Sequence, residues 1–296
     1  MAAAFTVPDD DGVRLPQSSI SNIILPLDGR ELSQVAIPVA RGLAELYKAT
    51  MHVVYAGERV LDPSLRLSQL GVNWEDLPGA VVDQCTEAAP DAIERAAKEL
   101  PQALTVMCTH TGASPRPSAF GTVTERVLAT NPERIVLVAP DRGYKPYKVG
   151  SVMLAHDGSP SCDVAAAPAA EIALRGRAEL FALHVAAPRV APPEEPGSVP
   201  APRYIDQPQH EWPSWAGEFM SRMLALGTPA SSIHFKLVVT GGQPGSEVAQ
   251  FARKRNADLV VMARSREWES WRHKAIRVVI QTCGCPVLLV RSNGAP

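Results

Sequence analysis

The sequence predicts an α/β protein built from two tandem copies of one domain, each with a parallel sheet flanked by helices. Short apolar runs alternate with segments of helical spacing, which is typical of βαβ units. The pattern then restarts, because Val152–Gly158 repeats Ile23–Gly29. A chain of 296 residues also has the length of two domains of about 150 residues each.

The repeat and the composition along the chain divide the sequence into segments. We expect a flexible tail at residues 1–20, a first domain at 21–140, a linker at 141–148 and a second domain at 149–296. The second copy carries an insertion at residues 188–213 that is rich in Pro and Glu. We interpret it as an irregular surface segment. A lid or a partner-binding motif is the alternative.

In the first copy, the apolar run Ile23–Leu27 predicts a buried strand that ends at Asp28-Gly29. A helix with its apolar face at Val35, Val39, Leu43 and Leu46 follows, and Pro38 should kink it or delay its start. The remaining predicted strands are Met51–Tyr55, Ala80–Val82, Ala103–Met107 and Ile135–Val138, and the remaining helices are Pro90–Leu100 and Gly121–Thr130.

The second copy repeats this order. Its predicted strands are Val152–Ala155, Ala178–Val185, Ile233–Thr240, Asp258–Met262 and Cys285–Val290, and a helix opens at Gly241–Pro244.

One stretch occurs in both copies, at Met107–Leu128 and again at Met262–Ile280. Each copy follows an apolar strand and leads into a helix. The free N–H groups at such a helix start favour a phosphate.

The stretch resembles the adenine-nucleotide loop of the universal stress protein family, whose pattern is Gly-x2-Gly-x9-Gly-Ser/Thr. In the first copy Cys108 and Thr111 stand at the first two glycines, whereas Gly121-Thr122 keeps the closing pair. In the second copy all four positions differ, and they are Ala263, Arg266, Ile276 and Arg277.

The resemblance implies Rossmann-like domains of the adenine nucleotide alpha hydrolase type, each with five parallel strands and ATP held at the strand ends. The two His-Val pairs, His52-Val53 and His184-Val185, are a further mark of the family. By this match Asp28 and Asp157 lie near the ribose and adenine. The backbone of Val53 and Val185 lies near the base, and Gly121-Thr122 lies at the phosphates.

The substitutions weaken this loop. Thr111 is β-branched and resists a positive φ, and Ile276 would place a branched side chain where the phosphate rests. Losing two charge-assisted hydrogen bonds of roughly 1.5–3 kcal/mol each weakens binding by about a hundredfold or more. We therefore expect no ATP binding in the second copy and at best weak ATP or AMP binding in the first, with no cofactor required.

Cations and tryptophans cluster around the second loop, at Arg264, Arg266, Trp268, Trp271, Arg272, His273 and Lys274. They could bind an anion or stack on a base. The favoured interpretation is that the tryptophans fill the vacated pocket while the charges face water.

Charge and cysteine content limit the classes of function. A formal net charge of -2 gives no reason to expect nucleic acid as a partner, and no apolar run has the length of a membrane span. The N-terminus lacks a secretory signal. Five cysteines without framework spacing predict reduced thiols in the cytoplasm.

Nothing in the sequence supports catalysis. His110, His156 and His184 have no nucleophile or orienting group in view, and the Asp-Gly pairs are also ordinary turn residues. Three hypotheses follow. The favoured one is a non-catalytic regulatory or interaction module of the stress response. The second is an ATP or AMP sensor that uses the first domain only, and the third is a nucleotide hydrolase.

The last strands of the two copies, Ile135–Val138 and Val287–Val290, would each leave an apolar edge exposed. In single-domain relatives, the resemblance implies, two chains cover this edge mutually. We expect the two copies of this chain to pair through these strands, and a homodimer of whole chains is compatible with that arrangement.

Overall fold

The computed structural model describes residues 19–58, 62, 66–109, 120–130, 132–186, 197–199, 208–225, 234–265 and 271–292. They fall into two compact units, one within residues 17–148 and one from Val149 onward.

The first unit alternates strands and helices along its whole length. Its strands are β1 (Asn22–Pro26), β2 (Thr50–Ala56), β3 (Val81–Cys85), β4 (Ala103–Cys108) and β5 (Arg134–Val138). Its α-helices are α1 (Glu31–Gln34), α2 (Ile37–Tyr47), α3 (Arg66–Gln69), α4 (Ala89–Glu99) and α5 (Thr122–Ala129), with short 3₁₀ turns at Trp74–Asp76 and Pro140–Arg142.

The second unit repeats this order. Its strands are β6 (Ser151–Ala155), β7 (Glu179–Ala186), β8 (Phe235–Gly241), β9 (Leu259–Arg264) and β10 (Val287–Arg291). Its helices are α6 (Pro160–Asp163), α7 (Ala166–Gly176), α8 (Pro208–Ala225), α9 (Pro244–Lys254) and α10 (Trp271–Thr282).

Each unit contains a five-stranded parallel sheet, so the predicted fold class is confirmed. The strand order is β3-β2-β1-β4-β5 in the first unit and β8-β7-β6-β9-β10 in the second. In each unit the first three strands are added toward one edge of the sheet and the last two toward the other edge. The switch point lies between β1 and β4 in the first unit and between β6 and β9 in the second. Ligands of open α/β sheets bind at such a switch point, outside the carboxyl ends of the strands.

The central strands are apolar without alternation because helices cover both faces of a parallel sheet. Ile23, Ile24 and Leu25 of β1 are fully buried, as are Val152, Met153 and Leu154 of β6. This continuous burial explains why the strands could be predicted from short apolar runs.

The helix after the first strand is broken in both units. In the first unit α1 ends at Gln34 and α2 begins at Ile37, with Pro38 in its first turn. Proline is tolerated there because the first turn of a helix has no intrahelical partner for its N–H. Pro38 therefore delays the helix start, which is one of the two predicted outcomes.

The strand register corrects the sequence match between the two His-Val pairs. Leu25 pairs with Val53, whereas Leu154, the equivalent of Leu25, pairs with Ala182. Val53 is therefore equivalent to Ala182, and the equivalent of Val185 is three residues further along, at Ala56. The match was wrong because a shared dipeptide cannot fix the register of a strand.

Several predicted segments differ from their expected structure. Residues 141–148 pack on the first unit, where the buried Tyr147 lies under the guanidinium of Arg142 and against Gly42. Most of the predicted tail lies outside the described residues, but Ile20 is buried. The segment predicted to be irregular at 188–213 is helical from Pro208 onward.

Helix α8 forms because apolar side chains recur at helical spacing. Trp215, Phe219 and Met223 are four residues apart and all are buried. None of the described helices is long and apolar enough to cross a membrane.

Candidate functional site

The carboxyl ends of β6 and β9 flank the switch point of the second unit. The turn after β6, which we call the β6 turn, comprises His156–Pro160. Asp157 shapes it, because its Oδ1 accepts the Ser159 N–H at 2.9 Å, and Gly158 supplies the positive φ of 85°. The turn directs the Asp157 carboxylate into the crevice at the end of the sheet.

Arg272, in the first turn of α10, spans the switch point and forms an ion pair with the Asp157 carboxylate. Its Nε lies 2.8 Å from Asp157 Oδ2, and its two terminal nitrogens donate to Ser159 Oγ and Ser161 Oγ. The side chains of Asp157 and Arg272 are only 24% and 21% exposed. Arg272 thus joins the helix after β9 to the turn after β6.

The ion pair holds Asp157 in its charged form. Burial opposes ionisation, but Arg272 and the hydrogen bonds from Ser159 lower the pKa of Asp157 to about 2. The pKa of the neighbouring Cys162 thiol shifts in the opposite direction, because burial and the Asp157 charge raise it to about 12. The thiol is therefore protonated at neutral pH and is a poor nucleophile.

Helix α8 covers the other side of the β6 turn through a second polar cluster. Arg222 binds Asp163 at 2.7 Å and also donates to the carbonyls of Gly197 and Gly158. Asp163 in turn accepts from His156 Nε2 at 3.1 Å. Because His156 Nδ1 accepts the Gly158 N–H at 3.0 Å, the proton of this ring is on Nε2.

The short segment Gly197–Val199, which we call the strap, lies directly on the turn. Val199 donates its N–H to the Gly158 carbonyl at 2.8 Å, and its own carbonyl accepts from the Trp215 indole at 3.0 Å. A Cβ on Gly158 would lie 2.4 Å from the Val199 oxygen, so only glycine fits below the strap.

His184, near the end of β7, is enclosed by the same cover. Its ring centroid lies 4.9 Å from that of Trp215 and 6.0 Å from that of Phe219, and the residue is 4% exposed. Its Nδ1 donates to the His156 carbonyl at 3.0 Å. Burial lowers the pKa of His184 to about 4. Both histidines with catalytic potential in this unit are therefore packed, as the sequence suggested; His110 lies outside the described residues.

The interpretation that the charges around the second loop face water is wrong for three of them. Arg264 and His273 are each 1% exposed, and Arg272 binds Asp157. Burial and the neighbouring Arg291 lower the pKa of Arg264 to about 10, which still leaves it cationic at neutral pH. Lys274 is exposed as expected. Arg266, Trp268 and the side chain of Trp271 lie outside the described part of the chain.

The first unit has a more open rim. The Asp28 side chain is 40% exposed, and its Oδ1 accepts the Arg30 N–H at 3.0 Å while Gly29 adopts φ 77°. Gly121 adopts φ 91° immediately before α5, where Thr122 begins the helix. The closing Gly-Thr pair thus stands at a helix N-terminus. Thr111, at the second glycine position of the motif, lies outside the described residues.

Cys108, at the first glycine position, is buried at the end of β4. Burial and the charges of Asp28 and Asp141 raise the pKa of its thiol to about 12. Asp28 and Cys108 therefore lie close together at the switch point of the first unit. Val53 lies in the middle of β2, three residues before the strand ends at Ala56.

The two units differ most in the loop between the fourth strand and its helix. Residues 109–121 separate β4 from α5, whereas only residues 265–270 separate β9 from α10. The connection thus has 13 residues in the first unit and six in the second, and residues 110–119 and 266–270 lie outside the described part of the chain. Ile276 lies inside α10 and is 1% exposed, so its side chain is part of the core. The expectation from the sequence, that this side chain would obstruct a phosphate, is therefore wrong.

Comparison with known proteins identifies the second unit. Residues 148–291 match the model of the Universal stress protein family. The second unit of this chain belongs to the universal stress protein family. The first unit has the same strand order, so the chain has the architecture of two tandem universal stress protein folds. No curated protein matches the chain in sequence.

Solved structures support the same fold over both units. A universal stress protein from Archaeoglobus fulgidus DSM 4304 is similar over 94% of this chain and 98% of its own, with a TM-score of 0.61 and 15% identity. A functionally unknown protein from Pseudomonas aeruginosa PAO1 is similar over 94% of each chain, with a TM-score of 0.62 and 15% identity. At this identity the likeness concerns the fold.

Sequence reasoning missed two parts of the second site. Arg272 was noticed as a cation, but its contact with Asp157 joins residues 115 positions apart and has no local signal. The cover from α8 was missed as well. The spacing of Trp215, Phe219 and Met223 was the signal that could have revealed it.

Proposed function

We propose that this chain is a non-catalytic regulatory or interaction module of the stress response. Its second unit has lost adenine-nucleotide binding, and its first unit binds ATP or AMP weakly or not at all. The observation that carries this proposal is the short β9–α10 loop. A helix that begins at Trp271 leaves six residues where the first unit has 13, so the family's Gly-x2-Gly-x9-Gly spacing, counted from Ala263, ends inside the helix at Ile276.

The first unit keeps the features that a weak site needs. Gly121 and Thr122 stand at the start of α5, where the helix dipole favours a phosphate. Asp28 is open to a ribose or base at the neighbouring strand end. We assign the base contact to the backbone of β2 at Val53. An ATP or AMP sensor that uses this unit alone is the alternative function.

Non-catalytic action is supported by the state of the candidate groups. His156 and His184 are enclosed, and the thiols of Cys108 and Cys162 are protonated at neutral pH. Within the described ranges, no three His, Cys, Asp or Glu side chains are grouped in a way that could hold a metal ion. The five cysteines form no disulfide bonds in the structure, and the proposed location is the cytoplasm.

Substitution of Gly121 tests the proposed site. In Gly121→Val a β-branched side chain must adopt φ 91°, so the helix start is distorted and any ATP affinity measured by calorimetry should fall at least tenfold. Gly79→Val is the matched control, because Gly79 has φ 72° in the same unit with open space around it. Equal affinity in the Gly121 variant and the control would place the ligand elsewhere.

A further inference from the structure

Arg272 reaches Asp157 because α10 begins early. The helix has 12 residues, against eight in α5, and Arg272 is its second residue. The additional turn at the N-terminus of α10 takes the place of residues that precede α5 in the first unit. The same change that shortens the loop therefore brings a guanidinium to the switch point.

The acceptors around Arg272 are specific to the second unit. Counting from the aspartates, Ser159 and Ser161 correspond to Arg30 and Leu32 of the first unit. The two serine hydroxyls lie 3.1 Å apart, and each accepts a hydrogen bond from Arg272. Leu32 is exposed and offers no acceptor. The β6 turn thus carries a cradle for a guanidinium that the β1 turn lacks.

The turn that carries this carboxylate is retained in the second unit. Asp157 keeps the position of Asp28 after the first strand of its unit, and Gly158 keeps the positive φ of Gly29. A carboxylate in an open crevice could accept from a ribose or from an adenine amino group. Arg272 donates to Asp157 Oδ2, and Ser159 donates its N–H and its hydroxyl to Oδ1, so both carboxylate oxygens already have donors from within the protein.

We propose that Arg272 is an internal latch, and that an adenine nucleotide enters the second unit only when this side chain leaves Asp157. This inference deepens the proposed function and rests on it, because it explains how the second site is kept closed. The latch is electrostatic and therefore breakable.

Photolabelling of the full chain tests the latch. The probe is 8-azido-ATP, and peptide mapping by mass spectrometry reports which unit is labelled. In wild-type protein we expect no specific label in residues 149–296. In Arg272→Ala, and in Arg272→Gln, which retains a polar side chain if the alanine variant is unstable, label in this unit should rise at least tenfold and be displaced by unlabelled ATP.

Arg175→Ala is the matched control. Arg175 forms an ion pair with Glu171 in the same unit, with side chains 9% and 11% exposed, but it lies in α7 away from the rim. If neither folded Arg272 variant gains label above this control, the latch is overturned while the proposed function stands. Displaceable label in the second unit of the wild-type chain would overturn the proposed function itself.

Discussion

At the scale of single residues, the rim of the second unit contains groups whose ionisation is fixed by their surroundings. Asp157 is held charged by Arg272, whereas His184 is held neutral under Trp215 and Phe219. The equivalent aspartate of the first unit, Asp28, lies in the open. Identical residues in the two copies thus serve in different electrostatic environments.

His184 should make the fold sensitive to mild acid. Its pKa is about 4 in the folded chain, against an ordinary value of 6.5 that applies after unfolding. The unfolded chain therefore takes up the proton first, so the stability is complete above pH 6.5 and is lost as the pH falls toward 4. The full loss is about 3 kcal/mol, from roughly 1.4 kcal/mol for each pKa unit.

Urea unfolding at a series of pH values measures this loss. His184→Asn can keep the donor to the His156 carbonyl without a titrating ring, so its stability should depend less on pH between 6.5 and 5. His234→Asn, at an exposed position before β8, is the control and should follow the wild type. Parallel curves for wild type and His184→Asn would show that another group titrates.

At the scale of elements, strands were predictable and their connections were not. Strands such as Ile23–Leu27 are continuous apolar runs because they are buried on both faces, and every predicted strand overlaps one in the structure. The edge strand β3 is only partly buried. The start of α10 was not predictable. The motif comparison assumed the same loop length in both copies, which put Ile276 at the loop although it lies inside the helix.

The edge strands carry the assembly prediction. Within its own unit β5 pairs with β4 and β10 pairs with β9, so each is a terminal strand, and Ile135–Val138 and Val287–Val290 are apolar throughout. We propose that the two units pair through these strands, and therefore expect each half expressed alone to dimerise or aggregate.

Sedimentation of the isolated halves measures this tendency. Val81→Lys in the first half is the control, because it charges the exposed opposite edge at β3 and should leave the association unchanged. Monomeric halves at high concentration would show that these edges need no partner.

At the scale of the whole molecule, the chain is a duplication in which one copy has changed its rim. The fold of both copies follows from the repeated apolar pattern, so the fold class and the family were accessible from sequence. The candidate site was accessible only in part. Asp28, Asp157 and Gly121 stand near strand ends or a helix start as predicted, but whether they bind nucleotide depends on distant residues such as Arg272 and Trp215.

The central claim is that the second unit does not bind adenine nucleotides. Equilibrium dialysis of the full chain with radiolabelled ATP tests it most directly, because it counts bound ligand without perturbing the protein. We predict saturation at no more than one ATP per chain, and weak binding at that site. Saturation at two ATP per chain would contradict the account.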